Sequence, residues 1–187
     1  MTARTTRLWG GFALALGVAI VVLIADQVSK AVVTATLGPG GDRTVVTIVP
    51  NVVHLLYVEN TGAAFGVLQG GGAFLTPLAV VVVAVLAIAF RRLIAESPWL
   101  SLALGLQFGG AIGNVVDRIR QGYVVDFIHV PHWPTFNVAD SAITVGVIIL
   151  GFFLFVRDLP TERSDAVATP VPRTGAHAGD DGSPRAD

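Results

Sequence analysis

The chain has 187 residues, 53% of them hydrophobic and only 13% charged, with a mean hydropathy of +0.71. A soluble domain carries about 25% charged residues, so this chain cannot coat its own surface for water and reads as a membrane protein. A net charge of -1 gives no reason to expect a nucleic-acid partner, and the absence of cysteine excludes thiol catalysis, disulfides and thiolate metal sites.

The first apolar run, Leu8 to Ala25, follows Arg4 and Arg7. Secretory signal peptides begin the same way. This run is longer than their usual apolar core and ends in Asp26-Gln27-Val28-Ser29-Lys30 rather than a small-residue cleavage box, which predicts a retained transmembrane helix. After Gly38-Pro39-Gly40-Gly41, the stretch Thr44 to Val58 is rich in Val, Ile and Thr and broken at Pro50-Asn51, predicting two short strands on the non-cytoplasmic face. A second span runs from Ala73 to Phe90 and is closed by Arg91-Arg92. The third runs from about Pro98 to Val116, with Ser97 as N-cap and Pro98 at the first helical position. The fourth runs from about Val138 to Val156 and is closed by Arg157. Each is near the ~20 residues that cross a ~30 Å hydrocarbon core. Lipid offers no hydrogen-bond partners, so each should be helical.

From about Leu159 the chain turns to Pro, Ser, Asp, Arg and Gly without apolar periodicity, as a disordered tail does. The expected architecture is an all-α membrane protein, a four-transmembrane-helix bundle with a small extracytoplasmic β-sheet. Residues 1–158 form the membrane domain and 159–187 a cytoplasmic tail. Arg4, Arg7, Arg91, Arg92, Arg157 and Arg163 outnumber Lys30, Arg43, Arg118 and Arg120 on the opposite side, which favours cytoplasmic termini. Gly105, Gly109 and Gly113 recur every four residues, a small-residue stripe suited to close helix packing in lipid. It should bring the next helix's polar residues near.

Ionisable groups in or beside apolar spans are costly and mark functional sites by default. Asp26 and Lys30 stand at i and i+4 in the favourable order for a helical pair, which by itself suits a brace at the end of the first helix. Asn114 shares a helical face with Asp117 and Arg118, which would sit salt-bridged at headgroup level. Asp126 lies among Val124, Val125, Phe127 and Ile128 in a short segment at the membrane boundary, where a carboxylate's pKa should rise. Asn137, Asp140 and Thr144 share one face at the start of the fourth span, although an acid also suits any helix start.

A short loop with Pro131 and Pro134 joins Asp126 to Asp140. If it folds back, the two carboxylates meet and titrate as a coupled pair. One ionised member could then activate water while the protonated member polarises a carbonyl, as peptide hydrolysis requires without a metal or serine. His54, His129 and His132 form no metal-ligand spacing on a helix and read as interfacial loop residues. A proton relay in a small transporter and a non-enzymatic assembly factor are the competing readings of the same acids and glycines.

The residues then become recognisable as a set. Asp26 to Lys30, Glu59-Asn60-Thr61-Gly62-Ala63-Ala64-Phe65-Gly66, Gly113 to Arg118, Val124 to Phe127 and Phe136-Asn137-Val138-Ala139-Asp140-Ser141 occur in this order. Together they closely resemble the bacterial lipoprotein signal peptidases (signal peptidase II), over about residues 8–157. The resemblance implies an aspartic endopeptidase of the bacterial inner membrane, its site toward the extracytoplasmic face. It would remove the signal peptide of a prolipoprotein just before a diacylglyceryl-modified cysteine. It implies Asp126 and Asp140 as the catalytic dyad, and Asp26, Lys30, Asn60, Gly62, Asn114, Arg118 and Asn137 as supporting or substrate-binding residues. It implies membrane lipid as a partner, inhibition by globomycin, and no cofactor or metal.

Overall fold

The computed structural model describes residues 3–62, scattered residues between 77 and 88, and residues 97–157. Helix α1 spans Ala3–Leu37, strand β1 Val45–Val49, strand β2 Val53–Asn60, helix α2 Pro98–Gln121, strand β3 Val124–His129 and helix α3 Val138–Arg157. The second expected span, Ala73 to Phe90, lies mostly outside the described residues; those within it, such as Pro77 and Val83, are helical. The expected tail from residue 159 lies wholly outside them.

Three described helices are long and apolar enough to cross a membrane: Trp9–Leu37, Pro98–Gln121 and Val138–Phe155. Large apolar side chains such as Leu16, Val21, Ile24, Ile148, Phe152 and Phe155 stand exposed on α1 and α3, a surface that water would not tolerate but lipid does. α1 was expected to end near Lys30 and instead continues to Leu37. Nothing stops it earlier, because Ala31, Val32, Val33 and Ala35 extend the apolar pattern and the first glycine after Lys30 is Gly38. Asp26 and Lys30 are therefore interior residues of a helix, not its end.

α2 begins as its sequence foretells. Ser97 accepts a hydrogen bond from the Trp99 N–H, with Pro98 next to it. It outruns the expected end at Val116 and stops at Gln121, where Gly122 takes φ 84° and returns its N–H to the Arg118 carbonyl, a left-handed cap suited to glycine. α2 packs against both α1 and α3. The glycine stripe serves this packing, but its partner is α1 rather than the next helix. A Cβ at Gly109 would meet Ala19 and Val22, and one at Gly113 would lie 2.5 Å from Asp26 Oδ2. The adjacent Gly110 faces Ala139 of α3 instead.

The sheet is antiparallel, in the order β1-β2-β3. The two strands expected between Thr44 and Val58 are β1 and β2; the boundary segment around Asp126 proves to be the third strand. A bulge between Leu55 and Val58 re-aims β2 where it passes Asp126. Val125 and Phe127 bury one face of β3 against Val33 and Leu37 at the end of α1. The other face carries Asp126 toward a cavity. His54 and His129 are strand residues paired across β2 and β3, not loop residues. Each stays tied by Nδ1 to a threonine hydroxyl, Thr47 and Thr135 respectively.

Candidate active site

The loop after β3 folds back, as the two prolines suggest. Phe136 accepts hydrogen bonds at its carbonyl from the N–H groups of Phe127 and Ile128, and its own N–H donates to the Ile128 carbonyl. This return sets Asn137 directly beside Asp126. Asn137 then caps α3 reciprocally: its Oδ1 accepts the Asp140 N–H at 2.9 Å, and Asp140 Oδ2 accepts the Asn137 N–H at 3.1 Å. This is a capping box with Asp in place of the usual Glu, so an ordinary helix start holds Asp140 in place.

Asn137 also joins the two acids. Its Nδ2 donates to Asp126 Oδ1 at 2.7 Å. Asp126 Oδ2 accepts from Asn60 Nδ2 at 2.8 Å, and Asp140 Oδ1 accepts from Asn114 Nδ2 at 2.8 Å. Each of the four carboxylate oxygens thus receives one amide N–H. Asp126 is 3% exposed. Burial pushes its pKa up to about 6, the charge of Asp140 adds to the rise, and the amides of Asn60 and Asn137 and the charge of Lys30 oppose it.

Both acids line one cavity of about 870 Å³, together with polar Asn60, Asn114 and Arg118, with Gly62, and with apolar Phe136, Ile143 and Val145. Gly62 donates its N–H to Asn60 Oδ1 at 3.0 Å, and its carbonyl makes a long 3.5 Å contact with Arg118 Nη2. Arg118 is half-buried and faces the charges of Asp140, Asp126 and Asp117.

Behind the dyad lies a second, fully enclosed cluster. Lys30 Nζ pairs with Asp26 Oδ2 at 2.9 Å and Asp117 Oδ2 at 2.8 Å. Asp26, 0% exposed, accepts the Ala139 N–H at 3.0 Å and so satisfies an orphan donor at the start of α3, where the helix dipole favours an anion. Asp117 was expected at headgroup level and is instead buried. It accepts from Gln27 Nε2 at 2.9 Å and from the Val125 N–H at 3.2 Å, fixing β3 beside the site. The sequence reading gave no part to Gln27 and missed the central role of Asp117. The signal was present for Gln27, whose side chain lies one residue from Asp26 in a span otherwise almost free of polar groups.

All nine residues singled out from the sequence therefore gather at one end of the helix bundle, around the sheet. Asp126, Asp140, Asn60, Gly62, Asn114 and Arg118 line the cavity. Asn137 bridges the acids, and Asp26 and Lys30 stand behind them.

The sequence model of the family described as signal peptidase (SPase) II matches residues 18–156. The lipoprotein signal peptidase of Moorella thermoacetica is 42% identical over 132 residues, 71% of this chain and 86% of that protein. That of Caldanaerobacter subterraneus is 45% identical over 141 residues, 75% of this chain and 94% of that one. A bacterial membrane enzyme solved by the in meso method at 2.3 Å resolution superposes with a TM-score of 0.72 at 31% identity, covering 80% of this chain and 92% of that one. The apolar helices and these relatives together make the protein an integral membrane protein. The chain belongs to the signal peptidase II family of aspartic-type peptidases.

Proposed function

We propose that Asp126 and Asp140 are the catalytic dyad of a membrane peptidase that cleaves prolipoproteins just before a diacylglyceryl-modified cysteine. Removal of lipoprotein signal peptides is the activity of the family. The observation that carries the residue assignment is the single cavity lined by both carboxylates, with Asn137 hydrogen-bonded to each. Two neighbouring acids in such a site share one proton, since both cannot ionise readily.

The chemistry follows from that shared proton. The ionised member takes a proton from water as the water oxygen bonds to the scissile carbonyl carbon. The protonated member gives its proton to the carbonyl oxygen. Collapse of the tetrahedral intermediate breaks the C–N bond: the dyad gives one proton to the leaving amine and takes one back from a hydroxyl of the intermediate. The polar side chains of the cavity suit the reacting peptide. Phe136, Ile143 and Val145, the last exposed on α3, suit the diacylglyceryl chains. Globomycin would occupy the same cavity.

In this reading residues 1–158 form a four-helix peptidase domain in the bacterial inner membrane. Both termini are cytoplasmic, and the sheet and cavity are extracytoplasmic. The excess of arginine flanking the terminal side supports that orientation. The test is separate conversion of Asp126 and Asp140 to Asn, with cleavage of a lipidated prolipoprotein as the readout. Each variant should lose at least ~100-fold in turnover; near-normal turnover in either ends the dyad assignment.

A further inference from the structure

Three asparagine amides touch the dyad, and each could in principle present either end to it, because an amide's O and NH₂ have nearly the same shape. In all three the oxygen is held elsewhere. Asn60 Oδ1 accepts the Gly62 N–H at 3.0 Å, and Asn137 Oδ1 accepts the Asp140 N–H at 2.9 Å. These are backbone donors, fixed by the fold itself.

Asn114 has no backbone donor on its oxygen among the hydrogen bonds observed. Its Oδ1 accepts from Lys30 Nζ at 3.0 Å and from Asn137 Nδ2 at 3.2 Å. Lys30 is 3% exposed, and its three N–H groups have three acceptors: Asp26, Asp117 and Asn114. Two carboxylates already compensate its charge. The third bond leads out of the cluster and into the site.

We propose that Lys30 is a positioning residue for the dyad, pinning the Asn114 amide so that its N–H and not its C=O faces Asp140. The inference rests on the dyad assignment above. An ammonium has no lone pair, so a flipped Asn114 would set NH₂ against Nζ and oxygen against the Asp140 carboxylate. With Lys30 in place Asp140 meets an obligate donor, which favours its ionised form. Without Lys30 the Asn114 oxygen keeps only Asn137 Nδ2, a donor shared with Asp126 Oδ1 and the Val125 carbonyl; it can then turn to accept a proton from the acid form, and the dyad keeps its proton to higher pH.

Among the described residues, the charged and titratable groups around this point are Asp26 and Lys30 of α1, Asp117 and Arg118 of α2, Glu59 of β2, Asp126 of β3 and Asp140 of α3. Lys30 also acts on the dyad directly through its field, so the test must separate field from orientation. Full-length enzyme is assayed on a lipidated prolipoprotein across pH as Lys30→Met, as the double variant Lys30→Met with Asp117→Asn, and as each in an Asn114→Ala background. The double variant removes one positive and one negative charge, so the buried cluster keeps its net charge and holds one uncompensated acid fewer than Lys30→Met alone.

The expected result is a lower kcat at nearly constant KM. The alkaline limb of the rate profile should move up by about one pH unit in both Lys30 variants, and the shift should vanish when Asn114 is absent. An undiminished shift in the Asn114→Ala background would mean that Lys30 acts by its field alone. An unmoved limb would reduce it to a structural brace. Either result overturns the proposal while Asp126→Asn and Asp140→Asn remain inactive. Turnover retained in those two would sink the dyad reading and this one with it.

Discussion

The protein holds two pairs of aspartates, linked through Lys30 and Asn114, and they are built differently. Asp26 and Asp117 share an ammonium, at 2.9 and 2.8 Å from Lys30 Nζ. Asp126 and Asp140 share amides, with one N–H on each oxygen. A buried cation in direct contact compensates the first pair and commits it to structure, tying α1, the start of α3 and β3 together. Neutral donors leave the second pair able to gain or lose a proton. What separates the brace from the proposed dyad is where the single lysine sits, not the residue type of the acids.

That contrast can be broken most directly by comparing turnover with stability in matched variants. Asp126→Asn and Asp140→Asn should each lose at least ~100-fold in activity while losing less stability than a variant of the first pair. For Asp126 the sign favours this. Its folded pKa of about 6 lies above the ordinary 3.8, so its ionisation weakens folding as pH rises from about 4 to about 6, and a neutral amide escapes that loss. Asp26→Ala should behave oppositely, costing roughly 3–5 kcal/mol because Lys30 and the Ala139 N–H lose a buried partner. Thermal unfolding in detergent at neutral pH measures both. If Asp126→Asn melts early while Asp26→Ala does not, the assignment of brace and dyad is reversed.

A smaller effect is expected at Gly113, where an added Cβ would lie 2.5 Å from Asp26 Oδ2. Gly113→Ala should cost about 1–3 kcal/mol and lower activity through displacement of the cluster. The same substitution at Gly151, where a Cβ meets nothing within 4 Å, is its control. Asn60→Ala sharpens the dyad side. The Asn60 N–H stabilises ionised Asp126, so its loss should move the alkaline limb of the pH–rate profile upward. An unmoved or lowered limb would detach Asn60 from the titration. Smallest of all, Thr47→Val removes only an exposed contact with His54 and should change stability by less than about 0.5 kcal/mol, with unaltered cleavage.

Much of this was legible before any coordinates. Ser97-Pro98 marks the start of α2 because capping depends on local residues alone, and the Val/Ile/Thr stretch broken at Pro50-Asn51 marks β1 and β2. The end of α1 was misjudged because Asp26 and Lys30 resemble a helix terminus when their partners are unknown. Asp117 was misjudged for the same reason, since its partners Gln27, Lys30 and Val125 come from other elements. The glycine stripe was read correctly as a packing face and assigned to the wrong neighbour, since spacing gives a face and not its occupant. The segment around Asp126 gave no strand signal separable from a membrane-edge segment, because its pairing partner β2 lies far back in the chain.

By itself the sequence determined the medium, the apolar spans, the small sheet's first hairpin and the set of polar residues that had to be accounted for. Hydropathy and capping act over a few residues, so they can be read from neighbours along the chain. Only the tertiary structure decided which acids share Lys30 and which share amides. That choice depends on hydrogen bonds between α1, α2, β3 and α3, and the direction of a side-chain amide is set by donors that no local pattern encodes.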